Sequence, residues 1–576
     1  MKRLCLLALW LLSASLSEAQ VEPCGPVPTE NQLRWQEMEM YAFIHYSMNT
    51  YTDQEWGFGN EDLQLFNPSD LDCRQWARVC KQAGMKGIIF TAKHHCGFCM
   101  WPSKYTEYSV KNTPWKNGQG DVVKELADAC REEGLKFAVY LSPWDRNHPE
   151  YGRPAYVTYF RNQLRELLTN YGEIFEVWFD GANGGDGWYG GANETRRIDA
   201  KTYYGWAETF RMIRELQPNC VIWNDGGDRG DLRWVGNEAG SVGETNWSLL
   251  NKEGNVTGDM LRFGLENGDS WVAAETNTSI RPGWFYHATE NENVKSLSKL
   301  MDTYYKSVGR NSCLLLNFPI GPNGRIHPTD SLRGIAFNKM IHEVFKNDLT
   351  KKAKIKAEAG VTLIEFKKPT AFNRFVAEED IRYGQRVKTF ALEAFVDGRW
   401  QPLKDELSEM SGSGLTTIGH RRIICFPTLT ATKLRFTITD SKAAPLIKRV
   451  GVYLAPDISP DTPDAGEKHA SDYYIFFGAD KMMFVNLDHE ATVTGFRYLP
   501  PQDSRCGLVT HYRIAATTDW SHWETLGEGE FSNIVNNPIW QQISCKPTRA
   551  KVIRVEGLRL AEGERMAYGD VEVMTE

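Results

Sequence analysis

Short apolar segments alternate with amphipathic segments over roughly residues 40–320, and this alternation is the strongest constraint on the fold. The apolar segments, which are typical of strands, span 41–46, 87–92, 136–141, 174–179, 220–223, 271–274 and 312–318. The amphipathic segments, which are typical of helices, span 72–83, 121–133, 156–170, 201–216 and 294–308. Strand–helix alternation of this length predicts an α/β fold with a parallel sheet, most often a (β/α)8-like barrel. A doubly wound sheet is the alternative, although no Gly-x-Gly-x-x-Gly motif follows the first strand.

The pattern changes after about residue 345, where strand-like runs recur at short spacing with turns between them. Runs at 361–366, 389–395, 421–426, 433–438 and 449–453 predict a first β-sandwich over 346–455. A Pro- and Asp-rich stretch over 456–467 is typical of a semi-stiff linker. A second β-rich region over 468–576 predicts another β-sandwich, which leaves 20–345 for the barrel.

The first residues have the features of a secretory signal peptide. Lys2-Arg3 precede an apolar run over 4–12, and the small residues Ser17 and Ala19 form a cleavage site after Ala19. The run is too short to span a bilayer. We therefore predict that 1–19 is removed and that the chain is secreted or periplasmic, with no membrane span.

The charge balance argues against nucleic acid as a partner. The chain carries 74 acidic and 66 basic residues, a net charge of -8, whereas nucleic-acid binding normally needs a basic patch or stripe. Aromatic residues make up 12% of the chain, which suits a carbohydrate site because flat rings cover the apolar faces of sugars. A large core with β-rich modules explains the same composition more simply. The oligomeric state is left open.

The clearest candidate for a catalytic residue follows the fourth predicted strand. In Glu176-Val-Trp-Phe-Asp180-Gly181, an apolar strand ends in a carboxylate that is followed by glycine. Residues at the carboxyl ends of barrel strands face the active site, so we expect Asp180 to lie there. The alternative is an aspartate that only caps the next helix.

Other polar and aromatic residues stand at the ends of predicted strands or in the loops after them. These residues are His45, Glu55, Trp56, His94, His95 and Tyr140. Each one alone is more often structural, but their recurrence at successive strand ends predicts that they converge on one site. Cys96 and Cys99 follow the histidine pair and allow a metal or redox site as an alternative. Zinc sites take about four ligands, usually as two spaced pairs, and no second pair is evident, so we expect neither metal nor cofactor.

Two glutamates follow the fifth predicted strand. Glu238 belongs to Trp234-Val-Gly-Asn-Glu238-Ala-Gly, and Glu244 lies a little further along. Cleavage of a glycosidic bond needs two carboxyl groups, one that attacks the sugar and one that protonates the leaving oxygen. Spacing along the chain leaves open which glutamate is the partner of Asp180. A polar surface loop is the alternative for both.

At these residues the chain resembles the α-L-fucosidases of glycoside hydrolase family 29, over roughly residues 30–345. The likeness rests on Phe43-Ile-His45-Tyr46, Glu55-Trp56, Lys93-His94-His95 with Trp101-Pro102-Ser103, and Val177-Trp-Phe-Asp180-Gly181. The resemblance implies a barrel-like catalytic domain, a retaining mechanism and no metal. One departure is Cys96, where many members of the family have an aspartate.

The resemblance also implies roles for individual residues. Asp180 matches the nucleophile. The segment 234–240 resembles that of the branch cleaving α-1,3 and α-1,4 fucosides of Lewis-type sugars, in which its glutamate, here Glu238, is the acid/base. The positions that hold the fucose hydroxyls are matched by His45, Glu55, Trp56, His94, His95 and Tyr140. Trp284 matches the aromatic residue that faces the methyl group of the sugar.

The resemblance therefore predicts a retaining exo-α-L-fucosidase acting on α-1,3/1,4-linked fucose in oligosaccharides and glycoconjugates. One alternative is a broad α-L-fucosidase that accepts α-1,2 or aryl fucosides, and another is a protein that binds fucosylated glycans without catalysis. The region 468–576 resembles a discoidin-type, galactose-binding-like module. We expect this module to bind or position glycan without taking part in the chemistry. Alternatively, it packs on the barrel and completes the active-site cup.

Overall fold

The computed structural model describes residues 21–576 apart from 226, 410–413, 459–467 and 470–472. The predicted signal peptide and most of the predicted linker lie outside the described residues. None of the helices in these ranges is long and apolar enough to cross a membrane. The cysteines in the same ranges are free thiols, and most of them are buried.

Parallel strands close into a barrel, which confirms the predicted α/β fold. In the described part of the chain the eight barrel strands are β1 Met40–Ile44, β2 Gly87–Lys93, β3 Lys136–Leu141, β4 Glu176–Phe179, β5 Val221–Asn224, β6 Leu232–Trp234, β7 Ala273–Ser279 and β8 Ser312–Asn317. They follow one another around the barrel in chain order, and β8 pairs with β1, with Tyr41 opposite Leu315. All strands point the same way, so their carboxyl ends meet at one face of the barrel.

Helices connect and surround the barrel strands. They are Glu30–Gln36, Asn49–Thr52, Cys73–Gln82, Val122–Glu133, Pro154–Asn170, Ala200–Tyr203, Trp206–Leu216, Gly258–Phe263, Leu297–Lys306 and Pro328–Phe345. Short 3₁₀ helices occur at Leu63–Leu65, Val110–Asn112, Trp115–Gly118, Tyr189–Gly191, Ala288–Glu290, Leu349–Lys352 and Ile381–Tyr383. The predicted helix 201–216 is in fact two helices, because Gly205 between them adopts a left-handed conformation with φ 59°.

The sixth barrel strand is absent from the predicted strands because it is short and has a charged residue at its centre. Leu232–Trp234 contains Arg233, so no apolar run marks it. Arg233 is buried, and its guanidinium donates a hydrogen bond to the Val272 carbonyl (2.7 Å). The predicted bounds 271–274 of the next strand are also wrong: it spans Ala273–Ser279, where buried polar residues hide the strand pattern.

Two antiparallel β-sheet domains follow the barrel, as predicted. The strands of the middle domain are Lys354–Glu358, Val361–Glu379, Val387–Val396, Arg399–Pro402, Leu415–Thr416, Arg422–Ser441 and Ile447–Tyr453. The strands of the C-terminal domain are Lys468–His469, Tyr473–Ala479, Met482–Leu499, Val509–Thr517, Glu524–Glu530, Gln541–Leu560 and Asp570–Thr575. Each domain has a hydrophobic core of its own. Small antiparallel pairs lie within the barrel region, Gly185–Gly187 with Glu194–Arg196 and Leu249–Leu250 with Ser270–Trp271.

Two strands of the middle domain are longer than the sequence pattern predicts. Val361–Glu379 runs through Pro369, and Arg422–Ser441 runs through Pro427. Proline lacks the amide N–H that a sheet ladder uses, and the pairing of these two strands shifts register at both places. The prolines interrupt the apolar pattern without ending the strands.

A pair of buried carboxyl groups lies inside the barrel. Glu176 is the first residue of β4 and Glu275 lies within β7, and both side chains are fully buried. Trp35 donates its indole N–H to Glu176 (3.0 Å), and Trp178 donates its own to Glu275 (2.9 Å). Burial and the neighbouring Glu275 raise the pKa of Glu176 well above its usual value. Burial therefore favours the protonated form of Glu176.

We expect Glu176→Gln to be at least as stable as the native chain near neutral pH. When folding raises the pKa of a carboxyl group, the free energy of unfolding falls as the pH rises above the unfolded pKa, because the folded state must then bind a proton. Glutamine needs no proton and still accepts from Trp35. Glu176→Ala should be less stable by about 2 kcal/mol or more, because it leaves a cavity in the barrel. Thermal melts of the three proteins at about pH 5 and about pH 8 measure this, and an equal loss in both variants would contradict it.

Candidate active site

The carboxyl ends of the barrel strands surround a cavity of about 300 Å³. Its polar and charged wall residues are Trp56, His45, His94, His95, Tyr140, Asp180, Asp225, Glu238, Asn277 and Trp284. Further aromatic walls are Phe43, Trp178, Trp223 and Trp234, and the C-terminal domain adds Asn533 and Asn536. Most of the predicted site residues therefore converge on one cavity. Glu55 and Glu244 do not line it.

Asp180 follows directly after β4 and presents its carboxylate to the cavity. The Tyr140 hydroxyl donates to Oδ2 (3.0 Å), and the Ala182 backbone N–H donates to Oδ1 (2.8 Å). His95 Nε2 lies 3.9 Å from Oδ2, beyond hydrogen-bond distance. The two donors orient the carboxylate, and a carboxylate that faces a cavity in this way can act as a nucleophile toward a sugar.

Glu238 lies in the loop after β6 and is held by two donors on one oxygen. The Trp284 indole N–H (3.0 Å) and the Asn533 side-chain amide (2.7 Å) both donate to its Oε2. Loss of hydration raises the pKa of Glu238 to about 7, the two hydrogen bonds oppose that rise, and the charge of Asp180 adds to it. Glu238 is thus able to hold a proton at mildly acidic pH and to release it near neutrality.

Glu244 is buried away from the cavity and links the barrel to the middle domain. The Ser408 hydroxyl donates to its Oε2 (2.6 Å), and Arg422 Nη2 lies 3.5 Å from its Oε1. The structure therefore places Glu238, and not Glu244, in the same cavity as Asp180.

His45 is neutral, and its tautomer follows from its neighbours. The side-chain amide of Asn317 donates to Ser279 Oγ (2.8 Å) and to the Trp284 carbonyl (2.9 Å), so Asn317 Oδ1 must accept from His45 Nδ1 (2.8 Å). Burial lowers the pKa of His45 to about 4. The lone pair on Nε2 is then free to accept a hydrogen bond from a ligand hydroxyl.

His95 has the same tautomer for a similar reason. The Ser142 hydroxyl donates to the Trp144 carbonyl (2.7 Å), so Ser142 Oγ accepts from His95 Nδ1 (2.7 Å). Burial lowers the pKa of His95 to about 4 and that of His94 well below its usual value. The half-exposed Trp56 meets the His95 ring edge-on at 5.1 Å. The histidines of the cavity are therefore uncharged at neutral pH.

Glu55 supports the cavity from behind. Its carboxylate accepts from the backbone N–H groups of Trp284 (2.9 Å) and Phe285 (3.0 Å) and lies 3.0 Å from His287 Nε2. The side chain is buried and these partners use both of its oxygens. Glu55 thereby fixes the loop that carries Trp284 and so positions one of the two donors to Glu238.

The barrel that carries this cavity matches one known family of enzymes. The family model described as alpha-L-fucosidase matches residues 22–336, more than half of the chain. The chain belongs to this family. The fucosidase is accordingly a glycoside hydrolase of family 29, whose members are retaining enzymes. A second family model, the F5/8 type C domain, matches residues 478–569 in the C-terminal domain.

Individual relatives extend the likeness beyond the barrel. Alpha-L-fucosidase 1 of Arabidopsis thaliana is 38% identical over 490 residues, which cover 78% of this chain and 92% of that protein. The crystal structure of a glycoside hydrolase 29 family member from an unknown rumen bacterium is 75% identical to this chain, with a TM-score of 0.77. The match covers 96% of this chain and 100% of that one. A Ruminococcus gnavus GH29 fucosidase in complex with fucose is 30% identical, with a TM-score of 0.66, over 76% of this chain and 96% of its own.

Several residues that shape the site were missed by the sequence analysis. Asp225 follows β5 and lines the cavity, and its place after a strand is the same signal that marks Asp180. Surrounding protein atoms and the charge of Asp180 raise the pKa of Asp225 to about 7. Ser142 directly follows β3 and Asn317 is the last residue of β8, so both stand at strand ends as well, although they act through the imidazoles. Asn533 carries no such signal, because 295 residues separate it from Glu238.

Cys96 and Cys99 are buried thiols, and burial raises the pKa of Cys96 to about 12. Cys96 Sγ lies 3.7 Å from both Ser47 Oγ and Asn49 Oδ1. Within the described ranges, no group of three or more His, Cys, Asp or Glu side chains is placed to hold a metal ion. The described ranges therefore contain no set of ligands for a metal site.

Proposed function

We propose that this fucosidase works by a double displacement in which Asp180 is the nucleophile and Glu238 the acid/base. The observation that carries the proposal is that the two carboxyl groups line one cavity and have different hydrogen-bond partners there. Asp180 accepts two hydrogen bonds, whereas Glu238, with a pKa of about 7, holds its proton at mildly acidic pH. Retaining glycosidases divide the work of two carboxyl groups in this way.

In the first step, Asp180 attacks the anomeric carbon while Glu238 gives its proton to the leaving oxygen. The bond to that oxygen breaks, and a fucosyl ester forms on Asp180, whose negative charge disappears. Because that charge raises the pKa of Glu238, its loss prepares Glu238 to act as a base. In the second step, Glu238 takes a proton from water, the water oxygen attacks the anomeric carbon, and Asp180 leaves as a carboxylate.

The remaining cavity residues are proposed to recognise the sugar. Neutral imidazoles at His45, His94 and His95 accept hydrogen bonds from hydroxyl groups without adding charge. Trp56 and Tyr140 line the cavity together with these histidines. Trp284 offers an aromatic face to the methyl group that fucose has in place of a hydroxyl. Glu55 contributes through the Trp284 loop.

We propose a preference for α-1,3 and α-1,4 fucosides of Lewis-type glycans. Its support is the segment 234–240, which resembles that of the branch with this preference and carries Glu238 at the matching position. Broad activity on α-1,2 or aryl fucosides is the second candidate. A binding protein without catalysis is disfavoured by the presence of both carboxyl groups in the cavity.

Export is a further proposal, to the outside of the cell or to the periplasm. It rests on the basic start, the short apolar run and the small-residue cleavage site within residues 1–19. Substrates outside the cell suit this location, because glycoconjugates are displayed there.

Replacement of Asp180 should remove the covalent step. We expect Asp180→Gly to lose about 10⁴-fold or more in kcat/KM, a loss typical of a missing nucleophile. Azide added with an aryl fucoside should then occupy the vacated space and give β-fucosyl azide, with inverted configuration. Asp225→Gly is the matched control and should give no azide product. Product analysis by NMR decides, and azide rescue in the Asp225 variant alone would exchange the roles.

The activity should fall as the pH rises through about 7, because the pKa of Glu238 is raised to that value and only the protonated form can donate. Glu238→Ala should lose this alkaline limb together with about 10²–10⁴-fold in kcat/KM on a Lewis trisaccharide, and much less on an aryl fucoside with a good leaving group. Glu244→Gln is the control and should keep the limb. A limb that survives in Glu238→Ala but vanishes in Glu244→Gln would contradict the assignment.

The linkage preference is tested by kcat/KM on matched trisaccharides. We expect α-1,3- and α-1,4-linked fucose to be released at least about 10-fold more efficiently than α-1,2-linked fucose. Equal values would favour the broad α-L-fucosidase. Binding without any release of fucose would favour the non-catalytic alternative.

A further inference from the structure

We infer that the C-terminal domain belongs to the active site and that its Asn533 is a positioning residue for Glu238. The inference rests on the proposed role of Glu238 as the acid/base. It goes beyond that role because it assigns part of the acid/base machinery to a domain outside the barrel. It departs from our expectation that this domain binds or positions glycan without taking part in the chemistry, and it develops the alternative that the domain packs on the barrel and completes the active-site cup.

Asn533 is held rigidly within the C-terminal domain. It lies in the loop between the strands Glu524–Glu530 and Gln541–Leu560. Phe531 at the start of this loop is buried, stacks on Tyr498 at 5.0 Å, and donates its backbone N–H to the Thr510 carbonyl (2.8 Å). The Asn533 carbonyl accepts backbone hydrogen bonds from residues 536 (3.2 Å) and 537 (2.9 Å). The loop is therefore anchored on both sides of Asn533.

The same loop region docks on the barrel next to the cavity. Glu530 Oε1 accepts from the Glu55 backbone N–H (3.1 Å). Ser532 packs so closely on Gly283 that a Cβ added to this glycine would lie 2.7 Å from the Ser532 Cβ. Gly283 directly precedes Trp284, the other donor to Glu238. The C-terminal domain thus contacts Glu238 itself and both residues that place Trp284.

The two donors determine which oxygen of Glu238 carries the proton. Asn533 and Trp284 both donate to Oε2, so in the protonated acid Oε2 must be the accepting oxygen. A carboxylic acid has one O–H donor, and the proton is therefore directed to Oε1. Without the Asn533 amide, one of the two donors that direct the proton to Oε1 is lost, and the proton is placed less uniquely.

This arrangement specifies which reactions need Asn533. A sugar leaving group is a poor one and requires protonation, whereas an activated phenol leaves with little help. The leaving group must lie beside the acid that protonates it, and Asn536 lines the same cavity as Asn533. The C-terminal domain is therefore required for cleavage of natural glycosides more than for attack by Asp180.

Two variants suit the backbone at this position. Asn533 has φ 51°, a left-handed conformation that glycine and aspartate tolerate. Asn533→Gly removes the donor. Asn533→Asp keeps the shape but sets a carboxylate against Glu238, which raises the pKa of Glu238 by like-charge repulsion. Asn117→Asp is the matched control, because Asn117 is exposed, lies on the barrel and has φ 53°.

The test measures kcat/KM against pH for the full chain, on a Lewis trisaccharide and on an aryl fucoside with a good leaving group. We expect Asn533→Gly to lose about 10-fold on the trisaccharide, as for one lost hydrogen bond, but less than about 3-fold on the aryl fucoside. Asn533→Asp should move the alkaline limb upward by about one pH unit or more. Asn117→Asp should match the native chain in both respects.

Other outcomes overturn the inference. Equal losses on both substrates, or an alkaline limb that stays in place in Asn533→Asp, would make the loop a structural wall only. Unchanged activity in both variants would show that the contact is dispensable. Thermal melts and aryl fucoside turnover report on folding. If Glu238→Ala itself fails to discriminate between the substrates, the proposed acid/base is at fault; if only the Asn533 variants fail to do so, the inference alone is wrong.

Discussion

Asp180 and Glu238 share one cavity, and the proposed chemistry requires these two carboxyl groups to hold protons differently. Asp180 accepts hydrogen bonds from the Tyr140 hydroxyl and from the Ala182 backbone amide. Glu238 loses hydration and feels the charge of Asp180, and both effects raise its pKa. The neutral state of His45 and His95 is part of the same balance, because a protonated imidazole in this cavity would lower the pKa of Glu238 and weaken it as an acid.

Supporting residues keep this balance by fixing the geometry around the cavity. Asn317 sets the tautomer of His45, and its side-chain NH2 group donates to the Trp284 carbonyl. Glu55 binds the backbone of that loop, and its own backbone N–H donates to Glu530 of the C-terminal domain. A continuous set of hydrogen bonds thus joins the C-terminal domain to the loop of Trp284, whose indole N–H donates to Glu238. The cavity residues depend on partners that do not touch a substrate themselves.

The sequence predicts the parts of this site that local chain patterns encode. Asp180 is predictable because an apolar strand ends in a carboxylate, and barrel strands share one functional end. Strand β6 is not predictable in this way, since Arg233 breaks its apolar run and its buried partners lie elsewhere in the chain. The choice between Glu238 and Glu244 depended on family resemblance until the structure placed Glu244 beside Ser408 and away from the cavity. Tertiary contacts carry information that spacing lacks.

The contribution of Asn533 has a consequence for how the enzyme loses activity. Asp180, Tyr140 and the imidazoles are all held by barrel strands and the loops directly after them, so they do not depend on the C-terminal domain. One of the two donors to Glu238 does depend on it, and Ser532 presses on the glycine that precedes Trp284, which carries the other. Separation of the domains would therefore remove a donor from Glu238, the proposed acid, while leaving Asp180, the proposed nucleophile, in place. Under the proposed mechanism the chain would then still attack activated fucosides but lose activity on sugar leaving groups, because only the latter need protonation. The interface between the domains is thus part of the proposed acid/base machinery.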